Sequence, residues 1–246
     1  MVEFIAMPNI VVWKWEDRKH DRGRDFLPEY YNILYAMLAR NITVPDWKLV
    51  CVTDNTHGLR KEIECVTQPV TLEHVRSLHG EAFPSCYRRL WNFSRDAGKL
   101  LGDKFLAIDV DVIITGNIDN FLLREENFVG WTDPAFIWNK IAGGLYFLEA
   151  GTRPDVWDDF DAEHSLPMVR ALGFFGSDQG WLSYKLYPPA ASFTRNDGAY
   201  YSKWLTVDKK GDIKQEAKII STPGKHKPWD LAFQRKHPWV TKYWKL

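Results

Sequence analysis

Lys104-Phe105-Leu106-Ala107-Ile108-Asp109-Val110-Asp111-Val112-Ile113-Ile114 sets two carboxylates into a run of apolar and β-branched residues. Such a run reads as a strand covered on both faces. Side chains alternate along a strand, so Asp109 and Asp111 are expected on the same side of it. Two like charges beside a core repel unless a cation or a shared proton offsets them. A hard divalent ion such as Mg²⁺ or Mn²⁺ is the common remedy, because it prefers oxygen ligands. The plainer reading is a strand end whose acids face water, and a bare D-x-D favours that reading until other segments are considered.

Outward from this stretch, strand-like runs alternate with helical spacing. Residues 9–15 (NIVVWKW) are rich in β-formers and read as the first strand. Residues 16–24 form a charged loop punctuated by Gly23. Residues 28–40 place Tyr31, Leu34, Leu38 and Ala39 at helical spacing, with Pro28 suited to the first turn. Residues 47–53 (WKLVCVT) predict a second buried strand, residues 62–70 a short third one, and residues 85–101 a helix leading into the diacid stretch. Strands alternating with helices predict a parallel, doubly wound sheet. Ligands of such sheets bind beyond the carboxyl ends of the strands, at a topological switch point. Trp15, Thr53-Asp54 and Asp109-Asp111 all fall at those ends. Farther on, residues 128–133 and 143–148 read as strands, residues 155–161 and 179–187 as helices, and residues 218–220 as a last short strand. No long linker, repeat or low-complexity tract divides the chain, so one α/β domain over residues 1–246 is expected.

With 45% hydrophobic and 15% aromatic residues, the 246-residue chain can bury a core. Its 32 Lys and Arg balance 32 Asp and Glu, so no global field points to nucleic acid or an acidic polymer. The balance is uneven, with 11 Lys/Arg against 4 Asp/Glu from Lys203 onward. A basic end on a neutral protein suits a local anionic ligand, a phosphate or a membrane surface, and equally an ordinary solvated face. Cys51, Cys65 and Cys86 are too few for a disulfide framework and lack metal-ligand spacing. Residues 1–4 carry no basic segment leading into a long apolar one, and no run approaches the ~20 apolar residues of a membrane-spanning helix. A reduced, cytoplasmic protein is expected, in which the sequons at Asn41 and Asn92 carry little meaning.

A second chemically suggestive stretch is Gly224-Lys225-His226-Lys227-Pro228-Trp229. Glycine lets backbone approach a ligand closely. Lys227 is a point charge suited to phosphate, Pro228 stiffens the turn, and Trp229 can lock the loop against the body. Five segments in order then carry a resemblance: Tyr87-Arg88-Arg89-Leu90, Asp109-Val110-Asp111, Ala142-Gly143-Gly144-Leu145, Asp178-Gln179, and the loop ending Lys227-Pro228-Trp229. Together they resemble the GT-A-fold glycosyltransferases, most closely the family 8 group.

The resemblance implies a Rossmann-like α/β fold with a mixed, mainly parallel central sheet flanked by helices. It implies a nucleotide-binding half over residues 1–112 and an acceptor and sugar half over residues 113–246. Asp109 and Asp111 would hold Mn²⁺ (or Mg²⁺) against the diphosphate of a nucleotide sugar, a UDP-sugar by family habit. Lys227 and the Gly224 backbone would receive the diphosphate from the other side. Arg89, Gly143 and Gly144 would lie against the donor sugar, and Asp178 and Gln179 nearest the anomeric carbon. Trp13, Trp15, Thr53, Asp54 and Val110 would hold base and ribose. The family's histidine metal ligand is replaced by Ser221, whose hydroxyl or a water would take that position, and Ala142 stands where the family has asparagine. Family chemistry retains anomeric configuration; an inverting enzyme would instead need a base, for which Asp133, Asp155 and Asp158 are candidates.

Residues 237–246 interleave basic and aromatic side chains, which suits either peripheral contact with a membrane or a tail packed back on the domain. The acceptor could be a glycan, a lipid-linked sugar, a protein or a modified nucleic acid. Two competing readings exist. Haloacid-dehalogenase-like phosphatases also place D-x-D after an apolar strand, but near the start of the chain and followed by glycine and threonine, where this chain has Val112-Ile113. A GT-A scaffold that binds a nucleotide sugar without catalysis is the third reading, against which Asp109, Asp111 and Lys227 argue.

Overall fold

Strand β1 (Asn9–Lys14) explains the layering by itself. Ile10 and Val12 belong to one buried cluster, and Val11 and Trp13 to a second on the opposite face. A strand that is apolar on both faces demands cover on both, which makes it central. In chain order there follow α1 (Pro28–Asn41), β2 (Leu49–Thr53), β3 (Glu64–Thr67), a 3-10 helix (Tyr87–Phe93), α2 (Ala97–Leu101) and β4 (Lys104–Ile108). Next come β5 (Val112–Ile114), α3 (Asp119–Leu122), β6 (Phe128–Trp131), β7 (Ala142–Glu149), α4 (Asp155–Asp158), α5 (Ala162–Ala171) and α6 (Asp178–Leu186). The chain closes with β8 (Ala191–Phe193), β9 (Ala199–Tyr200), β10 (Ile219–Ser221), α7 (Leu231–Lys236) and α8 (Trp239–Tyr243). The structure is a computed structural model, and it describes residues 8–15, 26–67, 69, 71–76, 85–133, 136, 139–201, 207, 212–222, 224 and 226–246. The charged loop expected over residues 16–24 and Lys225 lie outside the described residues.

Seven strands form one sheet in the order β3-β2-β1-β4-β7-β6-β8. The pairs β3-β2, β2-β1, β1-β4 and β6-β8 are parallel, whereas β7 runs antiparallel to both β4 and β6. The sheet is therefore mixed and mainly parallel. The chain leaves β1 toward β2 on one side and returns to β4 on the other, so the switch point lies between β1 and β4. A crevice opens beyond the carboxyl ends of strands that part in this way.

The strand expected over residues 104–114 is two strands in two sheets. The amide of Asp109 still donates to the Gly144 carbonyl at 2.9 Å, continuing the β4–β7 ladder. The chain then turns at Val110-Asp111, and β5 pairs antiparallel with β10 in a three-stranded sheet ordered β5-β10-β9. The Thr222 hydroxyl donates to the Asp111 carbonyl at 2.7 Å and holds the turn. The pattern of apolar residues is continuous across the break because both sheets bury their strands.

Two helices differ from expectation. Residues 85–101 form a 3-10 helix and a separate α2, parted at Ser94, whose backbone is extended (φ −66°, ψ 155°). Helix α5 has no counterpart in the sequence reading, because Pro167 inside it is a breaking signal. The aromatic residues of the C-terminal tail turn inward: Trp239 and Trp244 are 8% and 5% exposed, and Arg40 donates to the carbonyls of Tyr243 and Lys245. They join the core, which is the packed-back arrangement of the two that the tail sequence allowed. No helix among the described residues is long and apolar enough to cross a membrane.

Candidate functional site

A 3-10 helix has three residues per turn, so positions i and i+3 eclipse one another. Tyr87, Leu90 and Phe93 accordingly form one buried row. Cys86, Arg89 and Asn92 form another, directed at the crevice: Cys86 and Arg89 line its cavity, and the Asn92 amide oxygen accepts the Trp13 indole N–H at 2.9 Å. The cavity measures about 170 Å³ and is lined by Trp13, Trp15, Phe26, Tyr31, Cys86, Arg89, Asp109, Val110, Asp111 and Lys227. Both carboxylates of the D-x-D reach it, through the turn between the two sheets and not through strand alternation.

Each carboxylate is met by a cation of this chain. Arg89 donates to Asp109 through Nη1 and to Asp178 through Nε at 2.9 Å, so one guanidinium bridges two acids. Lys227 donates to the Asp111 carboxylate, and to the Thr222 carbonyl at 3.2 Å. Burial pushes the Asp109 carboxyl up to about 6 despite the opposing pull of Arg89, with Asp111 and Asp178 raising it further. Burial also raises Asp178, again against Arg89. The Cys86 thiol is pushed up by burial to about 12. Among the described residues no cluster of three or more His, Cys, Asp or Glu side chains could hold a metal ion.

The glycines of the Ala142-Gly143-Gly144 segment are explained by space. A Cβ on Gly144 would lie 2.6 Å from Asp109 Oδ2, and one on Gly143 would lie 3.3 Å from both Arg89 Nη2 and Asp178 Oδ1. They let β7 pass directly behind the ion-paired acids. Gly224 has another reason: its φ is +84°, and nothing lies within 4 Å of an added Cβ.

Of the residues singled out in the sequence, Trp13, Trp15, Arg89, Asp109, Val110, Asp111 and Lys227 line the cavity together. Asp178 is 2% exposed and sits behind Arg89, with its Oδ1 accepting the Gln179 amide at 2.9 Å. Ser221 lies opposite Val112 in the β5–β10 register, one position from Asp111. Thr53 and Asp54 end the neighbouring β2 and do not line the cavity; the Thr53 hydroxyl donates to the Asn55 carbonyl at 3.0 Å. Sequence reasoning missed Phe26, Tyr31, Cys86 and Thr222. Tyr31 stood on the apolar face of α1 and read as core, yet its hydroxyl reaches the Trp13 carbonyl at 3.1 Å. Trp229 closes the assembly, stacking on Tyr30 at 4.0 Å and meeting Phe26 edge-on at 5.7 Å. It thereby braces the Lys227 loop against the aromatic side of the cavity.

No protein-family model and no curated protein sequence matches the chain. Solved structures do. The apo-form glycosyltransferase GlyE of Streptococcus pneumoniae TIGR4 is similar over 98% of this chain, with a TM-score of 0.60 and 11% sequence identity. The galactosyltransferase LgtC, solved with donor and acceptor sugar analogues, is similar over 97% of both chains, with a TM-score of 0.55 and 11% identity. The fold is that of the GT-A glycosyltransferases. The chain spans 60% of the GlyE chain. In the GT-A frame of this chain the D-x-D sits at the switch-point crevice, where its own topology directs a ligand.

Proposed function

We propose that this protein is a glycosyltransferase that moves a sugar from a nucleotide sugar to an acceptor hydroxyl. One observation carries the reading: the switch-point cavity has an aromatic wall beside a charged wall of Asp109, Asp111, Arg89 and Lys227. A nucleoside diphosphate is divided in the same way, into a flat base and a compact double phosphate. The donor set suits an open divalent site. Mg²⁺ and Mn²⁺ take one or two protein carboxylates and complete their shell with phosphate oxygens and water. Asp109 and Asp111 would hold Mn²⁺ (or Mg²⁺), with the Ser221 hydroxyl or water in place of a histidine. When bound, such an ion supplies Lewis-acid stabilisation to the departing diphosphate.

Lys227 would give its charge to the diphosphate, on a loop that Trp229 fixes in advance. Arg89, oriented by the buried Asp178, would face the donor sugar or its phosphate. Gly143 and Gly144 would keep that surface open, and Gln179, next to Asp178 in the chain, would face the sugar. A UDP-sugar donor, retention, and membership of family 8 rest on the resemblance carried by the five segments. None of the carboxylates considered as an inverting base lines the cavity. Asp133 is held by Arg195, Asp155 by Arg153 and Lys185, and Asp158 by Arg95. The acceptor class includes glycans, lipid-linked sugars, proteins and modified nucleic acids.

The test is incubation with a panel of nucleotide sugars and Mn²⁺, following release of free nucleotide. Slow hydrolysis of at least one donor is expected, abolished in Asp109→Ala and Asp111→Ala. If none turns over or binds, with or without metal, the transferase reading fails. Release of phosphate from simple phosphoesters would favour the phosphatase instead.

A further inference from the structure

A second cleft, of about 1010 Å³, opens at the other end of the small sheet from the diacid. One side of it is the segment that carries Lys214. This segment is held by the Val207–Ile213 bridge and by the Tyr200 hydroxyl, which donates to the Glu216 carboxylate at 3.1 Å. Thr115 and Ala217 adjoin it, tied by the Thr115 hydroxyl donating to the Ala217 carbonyl at 2.6 Å. The other side is the corner between α7 and α8, with Lys236, Pro238, Trp239, Lys242 and Tyr243. Arg40 anchors that corner by donating to the carbonyls of Tyr243 and Lys245. Thr115 lies four residues beyond Asp111, roughly 13 Å along an extended chain. No described residue lines both this cleft and the switch-point cavity.

Lys214, Lys236 and Lys242 come from three segments and meet at this cleft, with Asp212 the one acid among its described lining. They belong to the basic excess from Lys203 onward, on which the switch-point cavity draws only through Lys227. Pro238, Trp239 and Tyr243 set apolar surface beside them, with the Lys242 ammonium 5.1 Å from the Tyr243 ring centroid. The Trp239 indole N–H is buried and has no hydrogen-bond partner among the described residues, a lack that native structures rarely leave. The volume is of the order that small-molecule sites have. We propose that this cleft is a second binding site, for a phosphate monoester whose remainder lies on Pro238 and Tyr243. Three lysines against one acid leave an excess of two positive charges, and a monoester is close to doubly charged at neutral pH. An ammonium is a point charge suited to phosphate. The apolar surface gives the esterified part a place that a bare anion does not use. The ester can be a soluble sugar phosphate or the headgroup of a lipid such as phosphatidic acid, since both present the same group. The site stands independently of the donor reading.

The experiment is calorimetric titration of the full chain, without metal, with inorganic phosphate, phenyl phosphate, and phosphatidylcholine vesicles with or without phosphatidic acid. A Lys227→Met background keeps these probes from the lysine of the switch-point cavity. Phenyl phosphate should bind more tightly than inorganic phosphate. Lys214→Gln and Lys242→Gln should each weaken the bound ester about threefold at low ionic strength, and together about tenfold. Added salt should weaken it further. With Lys227 in place, neither change should alter affinity for UDP with Mn²⁺. Melting curves check the fold, and Lys242 is exposed, so its replacement tests the site without disturbing the core. Lysine-dependent binding of phenyl phosphate without binding of the vesicles supports the site and identifies a soluble ligand. Lysine-dependent binding confined to the phosphatidic acid vesicles supports it and identifies a lipid headgroup. The inference is overturned if neither phenyl phosphate nor those vesicles bind, or if the lysine variants bind as the parent does. It is equally overturned if inorganic phosphate binds as tightly as the phenyl ester. None of these failures touches the donor-site reading.

Discussion

Replacing Lys227 should make the protein bind Mn²⁺ more tightly when no nucleotide is present. Lys227 occupies Asp111, and both side chains are largely withdrawn from water, at 21% and 13% exposure. A metal that takes Asp111 must first break this pair. A charge-assisted hydrogen bond contributes about 1.5–3 kcal/mol, so Lys227→Ala should raise the affinity for free Mn²⁺ by roughly tenfold or more. With a nucleoside diphosphate present the sign should reverse. Lys227 then serves the phosphate, and its loss should weaken nucleotide and metal together by a comparable factor. The assay is Mn²⁺ electron paramagnetic resonance or calorimetry, with and without UDP, on wild type, Lys227→Ala and Lys227→Met. Methionine retains the stem and avoids a cavity. Asp111→Asn should abolish tight binding in both conditions. If either Lys227 variant binds free Mn²⁺ as weakly as the wild type, or more weakly, the lysine does not occupy the metal's place and the argument is wrong.

Other consequences can be checked separately. Gly144→Ala puts a Cβ 2.6 Å from Asp109 Oδ2, so it should cost most of the donor and metal affinity while the far-ultraviolet circular dichroism stays native; Gly143→Ala, at 3.3 Å, should cost less. Asp133 is fully buried against Arg195, whose side chain keeps 34% exposure, and Asp133→Ala removes its charge-assisted bonds while water can still reach the guanidinium, so chemical denaturation should show a loss of about 2 kcal/mol with nucleotide affinity unchanged in the folded fraction. The raised Cys86 thiol, at about 12, stays protonated at pH 8. Its thiolate is about a thousandfold scarcer than that of an unperturbed cysteine, and iodoacetamide should modify it correspondingly slowly until the protein is unfolded. Rapid native labelling of Cys86, read by peptide mass spectrometry, would contradict the raised thiol.

The sequence by itself determined the α/β class, the order of the front strands and the place of the diacid at a strand end. These are local matters: β-branched runs, a proline-started helix and the two carboxylates are legible in windows of a few residues. The likeness of five short segments to GT-A enzymes added the expected mixed sheet. What only the tertiary structure decided is how those segments meet. The 104–114 run divides between two sheets because β7 and β10 claim its two halves, and their paired residues lie 37 or more positions away. Asp178 turned out to serve Arg89 from a buried position, and the paired glycines to clear space for acids on another strand. The tail aromatics went to the core, and Tyr31 and Phe26 went to the cavity. In each case the residue type allowed more than one environment, and burial, hydrogen-bond satisfaction and charge pairing across long sequence separations selected one. The diacid itself shows the difference: its chemistry was visible in eleven letters, whereas the two cations that meet it came from positions 89 and 227.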